Sequence, residues 1–517
     1  MKSGYLLFVA LFICSFVCIA FISSCDADDD DDNNDDDDDD TNAPIFDELL
    51  DFMQDEFDDY NVPGGSVAVV LDGELRYAEG VGVRKHGDSD PVTTQTIFVI
   101  ASVTKMLTAA GLMTAWDEDL LDLDAPVTDY VPYFDLLDPA DPGSISTHQS
   151  LVHIAGLPDY LEQKCDTDPD ALSRWFKDNT DMPQWTEPDE VWNYSNLGYS
   201  LSSLVLEEVS GEYFTDAMQQ RVFDPLGMVN MTYDPDVAMS GDYATGHIYG
   251  SGNELVYQHL DKFQCALGWG PGVLYGTPSD LAHFAEAMLA LGGGAMSSDA
   301  AAQMQTGHYE TRMIPGQTYG YGLMQQTYKE LDVITHDGGI DGFLTTWWIV
   351  PERDFGVVIF INAYYFDPAI IAQKAMDLFL DLPDSDPPDY STPPETWAKY
   401  TGTYNEPFEI GDMIVTQDEA LKLWVEFPAY EFKTEMFQYA GDCFAFDASG
   451  QGNYLMATFW LNEQDVSEYF VTRAGVGERV TDKRYEQPDM ERRSDFDAWV
   501  SKIEPITKKR LELLRFH

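Results

Sequence analysis

Apolar positions along the chain follow two repeats. FDELLDFMQDEF, residues 46–57, carries apolar residues three and four apart, which predicts a helix. GSVAVVLDGELRYAEGVG, residues 65–82, predicts two strands around an Asp72-Gly73 turn. SVTKMLTAAGLMTAWDEDLLDLD, residues 102–124, is rich in Ala, Leu and Met and predicts a long helix. From about 120 to 310 the pattern breaks into short helices and Pro/Gly loops. LTTWWIVPERDFGVVIFIN (344–362) then predicts a second strand pair turning at Pro351 to Asp354, and PAIIAQKAMDLFLDL (368–382) a closing helix. Strands at both ends with helices between them predict an α+β unit over 44–385, whose termini meet in one antiparallel sheet flanked by helices and a helical subdomain.

PDSDPPDYSTPPE is a Pro-rich boundary. Beyond it, MIVTQ, LKLWVEF, CFAFD, ATFWL and EYFVTR are short aromatic and β-branched runs, so 396–480 is expected to be a small, antiparallel β-rich domain. The tail, 481–517, holds nine Lys or Arg and is expected to pack as a helix on the acidic body.

The first 43 residues lack both repeats. Lys2 precedes an uncharged apolar run from Tyr5 to Ile22, long enough to cross a bilayer, followed by Ser23-Ser24-Cys25. Residues 1–24 read as a bacterial lipoprotein signal with Cys25 as the lipidated residue. An uncleaved membrane anchor is the other reading, and both place the remainder outside the cytoplasm, in the periplasm or at the cell surface. Residues 25–43 include DADDDDDNNDDDDDD, which buries no apolar surface and repels itself, as expected of a disordered tether.

The formal net charge is -64. Setting aside the 12 Asp between Asp26 and Asp40, acidic residues still outnumber the 28 Lys plus Arg by more than two to one. Such a surface repels nucleic acid and argues against a nucleic-acid partner. Of six Cys, Cys14 and Cys18 lie in the signal, leaving Cys165, Cys265 and Cys443 beyond Cys25. Three allow at most one internal disulfide, which sequence alone does not pair.

Candidate chemistry begins with Ser102-Val103-Thr104-Lys105 at the start of the long helix. Residues three apart on a helix have Cβ atoms about 5–6 Å apart, so the hydroxyl and amine can meet. For Lys105 to serve as a base it must be neutral, and surrounding groups must supply the free energy of that change. Alone, this spacing is also what a capping serine before a helical lysine produces. Tyr194-Ser195-Asn196 follows Trp192 and precedes an apolar helix. Its phenol can relay a proton, and Asn196 can bind a substrate amide or the lysine amine; alone it is a capping turn. His336-Asp337-Gly338-Gly339 precedes the second strand pair, where glycines let a substrate backbone approach a sheet edge. His148 and His153 have no HExxH around them and read as structural histidines. GGSVA ends in Ala, so the GxSxG of an α/β-hydrolase is missing.

The three elements, in this order, resemble the serine β-lactamase and penicillin-binding-protein superfamily, in the branch that holds class C β-lactamases, D-alanyl-D-alanine carboxypeptidases, D-aminopeptidases and related esterases. FVIASVTKMLTA, SLVHIAGLPDY and TPSDLAHFAEAML agree with it over about residues 45–380, and YTGTY and TRAGVGER resemble the ends of the β-barrel-like domain often appended to such hydrolases. The resemblance implies an acyl-enzyme mechanism without metal or cofactor, acting on a small-molecule or peptide substrate. Ser102 would be acylated, and Lys105 and Tyr194 would share acid–base work. The N–H groups of Ser102 and Gly339 would form the oxyanion hole, each such donor being worth about 2.7–4 kcal/mol. Asn196, His336 and Gly338 would line the substrate side. His336-Asp337-Gly338 stands where the family often has Lys-Thr-Gly, which points to an ester, amide or D-amino-acid peptide hydrolase ahead of a β-lactamase. A non-catalytic penicillin-binding-like surface receptor is the further alternative.

Overall fold

The computed structural model describes residues 42–160, 164–249, 254–383, 388–408, 410–448, 453–480 and 506–507. The signal, Cys25 and residues 25–41 of the expected tether lie outside the described residues, as does most of the basic tail; Asn42 and Ala43, placed in the tether by sequence, instead begin the first helix.

Helix α1 (Ala43–Tyr60) buries Phe46, Leu49, Met53 and Phe57, the face that its apolar spacing defines. It ends at Asn61, whose left-handed φ of 54° turns the chain into the first strand. Strands β1 (Gly64–Leu71) and β2 (Glu74–Gly82) form the expected hairpin. Asp72 and Gly73 both have positive φ, as a two-residue hairpin turn requires. The remaining strands of the sheet are β3 (Tyr309–Glu310), β4 (Thr318–Tyr319), β5 (Met324–Tyr328), β6 (Leu331–Ile340), β7 (Phe343–Val350) and β8 (Phe355–Ile361). Their order is β2-β1-β8-β7-β6-β5-β4-β3, antiparallel throughout. The two ends of the domain meet where β1 pairs β8, with Val67 opposite Ile359.

Alternation sorts the strand residues between two cores. Val67, Val69, Leu344, Trp348, Val357 and Ile359 face α1 and the closing helix Ala369–Phe379. Ala68, Val70, Phe343, Trp347, Val358 and Phe360 face the helical side. There, helix α2 (Thr104–Asp117) is buried from Thr104 through Ala115 and packs on α3 (Asn196–Ser210). The long helix predicted over 102–124 is therefore shorter: Ser102 lies in a preceding 3₁₀ turn, Ala101–Val103, and the acidic segment after Asp117 is a turn and loop.

The C-terminal strands run Gly402–Glu406, Gly411–Gln417, Leu423–Phe427, Phe432–Ala440, Cys443–Asp447, Asn453–Leu461, Ser467–Thr472 and Gly475–Val480. The first pairs the last, and Cys443–Asp447 pairs Asn453–Leu461, so eight antiparallel strands close into a barrel. Its interior holds Tyr400, Tyr404, Phe444, Phe459 and Phe470. From the tail, Ile506–Thr507 adds a two-residue strand beside Asn453 and Tyr454, a strand where a helix was expected.

The barrel lies against the α+β domain. Trp460, Val471 and Val476 belong to the core of that domain rather than to the barrel's own. The Arg312 guanidinium stacks 4.2 Å from the Trp460 ring, and Tyr469 donates to Glu190 at 3.0 Å. Cys165 and Cys265 are joined in a disulfide, and Cys443 is a buried free thiol.

Candidate active site

Strand β6 sits directly on the turn that carries Ser102. A Cβ on Gly338 would lie 2.4 Å from the Ile100 carbonyl oxygen and 3.2 Å from the Ser102 nitrogen, so only glycine allows this approach. Ala101 adopts φ 50°, a left-handed conformation that costs a non-glycine residue roughly 1–2 kcal/mol. The Thr104 hydroxyl holds the turn by donating to the Ala101 carbonyl at 2.6 Å.

One helical turn on, Lys105 is fully buried and its Nζ donates to three oxygens. These are Asn196 Oδ1 at 2.7 Å, the Pro271 carbonyl at 2.7 Å and Ser102 Oγ at 3.2 Å. The Tyr194 ring lies beneath the amine, centroid 4.7 Å away.

Hydrogen bonds made by Ser195 and Asn196 fix the Tyr194-Ser195-Asn196 segment. Ser195 caps α3, its Oγ accepting from Gly198 N at 2.9 Å and donating to the Pro158 carbonyl. The Ser195 N–H donates to His153 Nδ1 at 3.0 Å, which places that ring's proton on Nε2. The buried His153 ring packs 4.4 Å from the Tyr194 ring, centroid to centroid, and burial keeps it neutral, well below the usual imidazole pKa. Asn196, expected to bind a substrate amide or the lysine amine, is buried beside Lys105. Its Oδ1 takes Lys105, and its Nδ2 donates to Asp159 Oδ1 at 2.6 Å. It positions the amine.

His336 lines the cavity beside Ser102, but both of its ring nitrogens are engaged. Nδ1 lies 2.7 Å from the Asp337 carbonyl, which can only accept, so Nε2 accepts from the Tyr319 hydroxyl at 3.0 Å. Burial, reinforced by Lys105, pushes its pKa down to about 3. Asp337 alternates with it: opposite Thr346 on β7, it faces the α1 side of the sheet and accepts from the Thr346 hydroxyl. Strand β5 stops pairing at Thr335, so among the described residues the β6 edge from His336 to Ile340 has a strand partner only in β7.

Ser102, Tyr194, His336, Gly338 and Gly339 thus border one cavity of about 230 Å³. Trp192, Met313 and Met324 supply apolar walls, and the barrel adds Leu455, Met456 and Arg473. Two polar residues at this centre escaped the sequence reading. Asp159 belongs to SLVHIAGLPDY, which reads as a loop, and Arg473 to the far end of the barrel; spacing alone links neither to Ser102. Among the described residues no group of three or more His, Cys, Asp or Glu is placed to hold a metal ion.

A Ser–Lys pair at a helix start, with a tyrosine beside it and a glycine-lined sheet edge across from it, defines a serine-hydrolase class built on the β-lactamase/transpeptidase fold. The family described as Beta-lactamase matches residues 45–379, and the chain belongs to that family. Penicillin-binding protein 4 of Amycolatopsis lactamdurans is 26% identical over 346 residues, 64% of this chain and 88% of that protein. The unguisins hydrolase ungD' of Aspergillus campestris is 27% identical over 62% of each chain. The crystal structure of SurE superposes with a TM-score of 0.66 at 24% identity, covering 84% of this chain and 99% of that one. That likeness concerns the fold.

Proposed function

We propose that the protein is an exported serine hydrolase that works through an acyl-enzyme on an ester, amide or D-amino-acid peptide. The observation that carries this reading is the shared cavity of Ser102, Tyr194 and the Gly338-Gly339 edge, with Lys105 3.2 Å behind the serine. The two 2.7 Å bonds of Lys105 commit two of its N–H groups to Asn196 and Pro271. In the neutral amine the lone pair can turn toward Ser102 Oγ, 3.2 Å away. Ser102 attacks the carbonyl carbon and its proton passes to the Lys105–Tyr194 pair. The Ser102 and Gly339 N–H groups receive the oxyanion, and Tyr194 returns the proton to the leaving group. Water then attacks the acyl-serine by the same relay and restores the hydroxyl.

His336 is neutral and tied at both nitrogens where a cation would favour a β-lactam carboxylate, so esters and peptides rank ahead of β-lactams. Similarity to a penicillin-binding protein and to an unguisins hydrolase supports acyl chemistry on amide-like substrates. The Cys165–Cys265 disulfide supports an oxidising compartment, consistent with residues 1–24 as a lipoprotein signal, Cys25 as the lipid site and 25–43 as the tether. Residues 44–385 would be the hydrolase and 396–480 the barrel.

Fluorophosphonate and fluorescent penicillin labelling tests the nucleophile, with Ser102→Ala as control. Label lost in Ser102→Ala, p-nitrophenyl acetate turnover and slow nitrocefin turnover are expected. Undiminished labelling of Ser102→Ala would sink the assignment, and rapid nitrocefin hydrolysis would reverse the ranking.

A further inference from the structure

The loop 153–159 runs beside the segment that carries Tyr194 and is hydrogen-bonded to it along its length. Asn193 N donates to the His153 carbonyl at 2.8 Å, and Asn193 Nδ2 to the Leu157 carbonyl at 2.8 Å. Ser195 Oγ donates to the Pro158 carbonyl at 2.9 Å, and Asn196 N to Asp159 Oδ1 at 3.1 Å. Asp159 is thus pinned against the first turn of α3. Its side chain is only 4% exposed, and its second oxygen, Oδ2, accepts from Arg473 Nε of the barrel at 2.7 Å.

A carboxylate paired with a guanidinium has no proton to give. The Asn196 amide must then turn Nδ2 toward Asp159 Oδ1, 2.6 Å away, and Oδ1 toward Lys105 Nζ, 2.7 Å away. The inverted amide has nearly the same shape, because its oxygen and nitrogen differ little in size. Its chemistry is opposite. It would set a carbonyl oxygen against the Asp159 carboxylate, two acceptors facing each other in a buried place. On its other side it would donate an N–H to Lys105, and a neutral amine accepts only through its lone pair. The Pro271 carbonyl takes an amine N–H in either case. With the lone pair occupied by Asn196, Ser102 would lose the group that receives its proton.

We propose that Asp159 is a positioning residue for the general base: because it only accepts, it fixes the polarity of the Asn196 amide and keeps the Lys105 lone pair for Ser102. Arg473 completes the lock from the barrel by claiming Oδ2, which leaves Oδ1 for Asn196. The barrel therefore bears on the acylation step through a chain of hydrogen bonds, Arg473 to Asp159 to Asn196 to Lys105. The assignment of a base rests on the hydrolase reading above; the amide polarity does not.

Asp159→Asn puts a donor into the lock. Arg473 Nε claims the new carbonyl oxygen, the new amide nitrogen faces Asn196, and Asn196 meets it by inverting. Fluorophosphonate labelling of Ser102 is expected to slow by about 100-fold, the lower end of what general acid–base catalysis supplies. The kcat for p-nitrophenyl acetate should fall with it while KM changes little. Asp159→Ala imposes neither orientation and should slow labelling less than Asp159→Asn. Adding Arg473→Met to Asp159→Asn frees the new amide to turn back, and should restore about 10-fold, a coupling of the size found within one hydrogen-bond network. A residue that only supports the fold gives the opposite order: the isosteric change is the milder one, and the second substitution adds to the loss. That opposite order, or undiminished labelling in Asp159→Asn, would overturn the proposal. If Asp159→Asn fails to fold, a neutron structure of the perdeuterated wild-type chain decides, because deuterium marks the amide nitrogen. Both Asn196 deuterium atoms on the side of Asp159 would uphold the lock, and deuterium of Asn196 directed at Lys105 would sink it. Wild-type protein that never labels at Ser102 would end the hydrolase reading instead, and the neutron result would still decide the amide.

Discussion

Gly338 shows how much of the site depends on one missing methyl group. A Cβ there meets the Ile100 carbonyl at 2.4 Å and Ala101 Cβ at 3.2 Å, both on the backbone turn that presents Ser102. Gly338→Ala must push β6 away from the turn, and a displacement of about 1 Å at a reacting centre costs on the order of 100-fold in rate. We expect fluorophosphonate labelling of Ser102 to slow by about that factor. Gly73→Ala is the control: it also strains a positive φ, but nothing lies within 4 Å of its added Cβ. It should lose about 1 kcal/mol of stability and leave labelling rates alone. Ser102, Lys105 and Tyr194 were legible as residues because their chemistry rests on local spacing. The contact of Asn196 with the lysine amine was one of two readings open to it, and the partners of His336 were not legible. Which partner satisfies an amide or an imidazole is decided by residues such as Asp159 and Tyr319, far off in sequence.

At the scale of elements, the cap of α3 links folding to the site. Ser195 Oγ accepts from Gly198 N, and Asn196, the first helical residue, holds Lys105. Ser195→Ala should cost about 0.5–2 kcal/mol, the usual range for a lost cap. Fraying there moves Asn196 and Ser195 N–H away from Lys105 and His153, so kcat should fall as well. Ser297→Ala removes the cap of the helix Ser298–Gln305, where Ser297 Oγ accepts from Ala300 N at 3.1 Å. A similar loss of melting temperature with kcat unchanged is expected there, and equal kcat losses in both variants would refute the coupling. The sequence placed the hairpin β1–β2, the pair β7–β8 and the closing helix within a few residues, because each is a strongly periodic segment bounded by turn residues. It overextended α2: Glu118 to Asp124 keep helical spacing of Leu, but their acidic side chains favour solvent beyond Asp117.

At the scale of the molecule, buried histidines set the response to acid. His153, His247 and His336 are each at most 1% exposed, and burial lowers the pKa of all three, to about 4 for His247 and about 3 for His336. Each accepts a hydrogen bond at one ring nitrogen, from Ser195 N, His86 N and the Tyr319 hydroxyl respectively, which protonation would break. Between those values and 6.5 the unfolded chain binds protons that the folded chain does not. Stability therefore falls as pH drops below 6.5, by roughly 1 kcal/mol per unit for each histidine. Glu207 opposes this: burial raises its pKa to about 7, so its contribution falls as pH rises from 4.5 toward 7. Glu56, also raised by burial, acts in the same direction, but both carboxylates are partly exposed and the buried histidines outnumber them, so the histidines prevail. A urea midpoint distinctly higher at pH 7 than at pH 5 is expected, and equal midpoints would contradict it.

The sequence by itself determined the most strongly periodic elements, the order of the three motifs, the division into an α+β part and a β-rich part, and the acidity of the surface, since these follow from local periodicity, turn chemistry and composition. Only the tertiary structure decided that the barrel closes and leans on the hydrolase domain, that Cys165 meets Cys265, and that Arg473 reaches Tyr194 across more than 270 positions of chain. Those outcomes depend on which surfaces bury one another, and burial is a property of the packed chain that no local window contains.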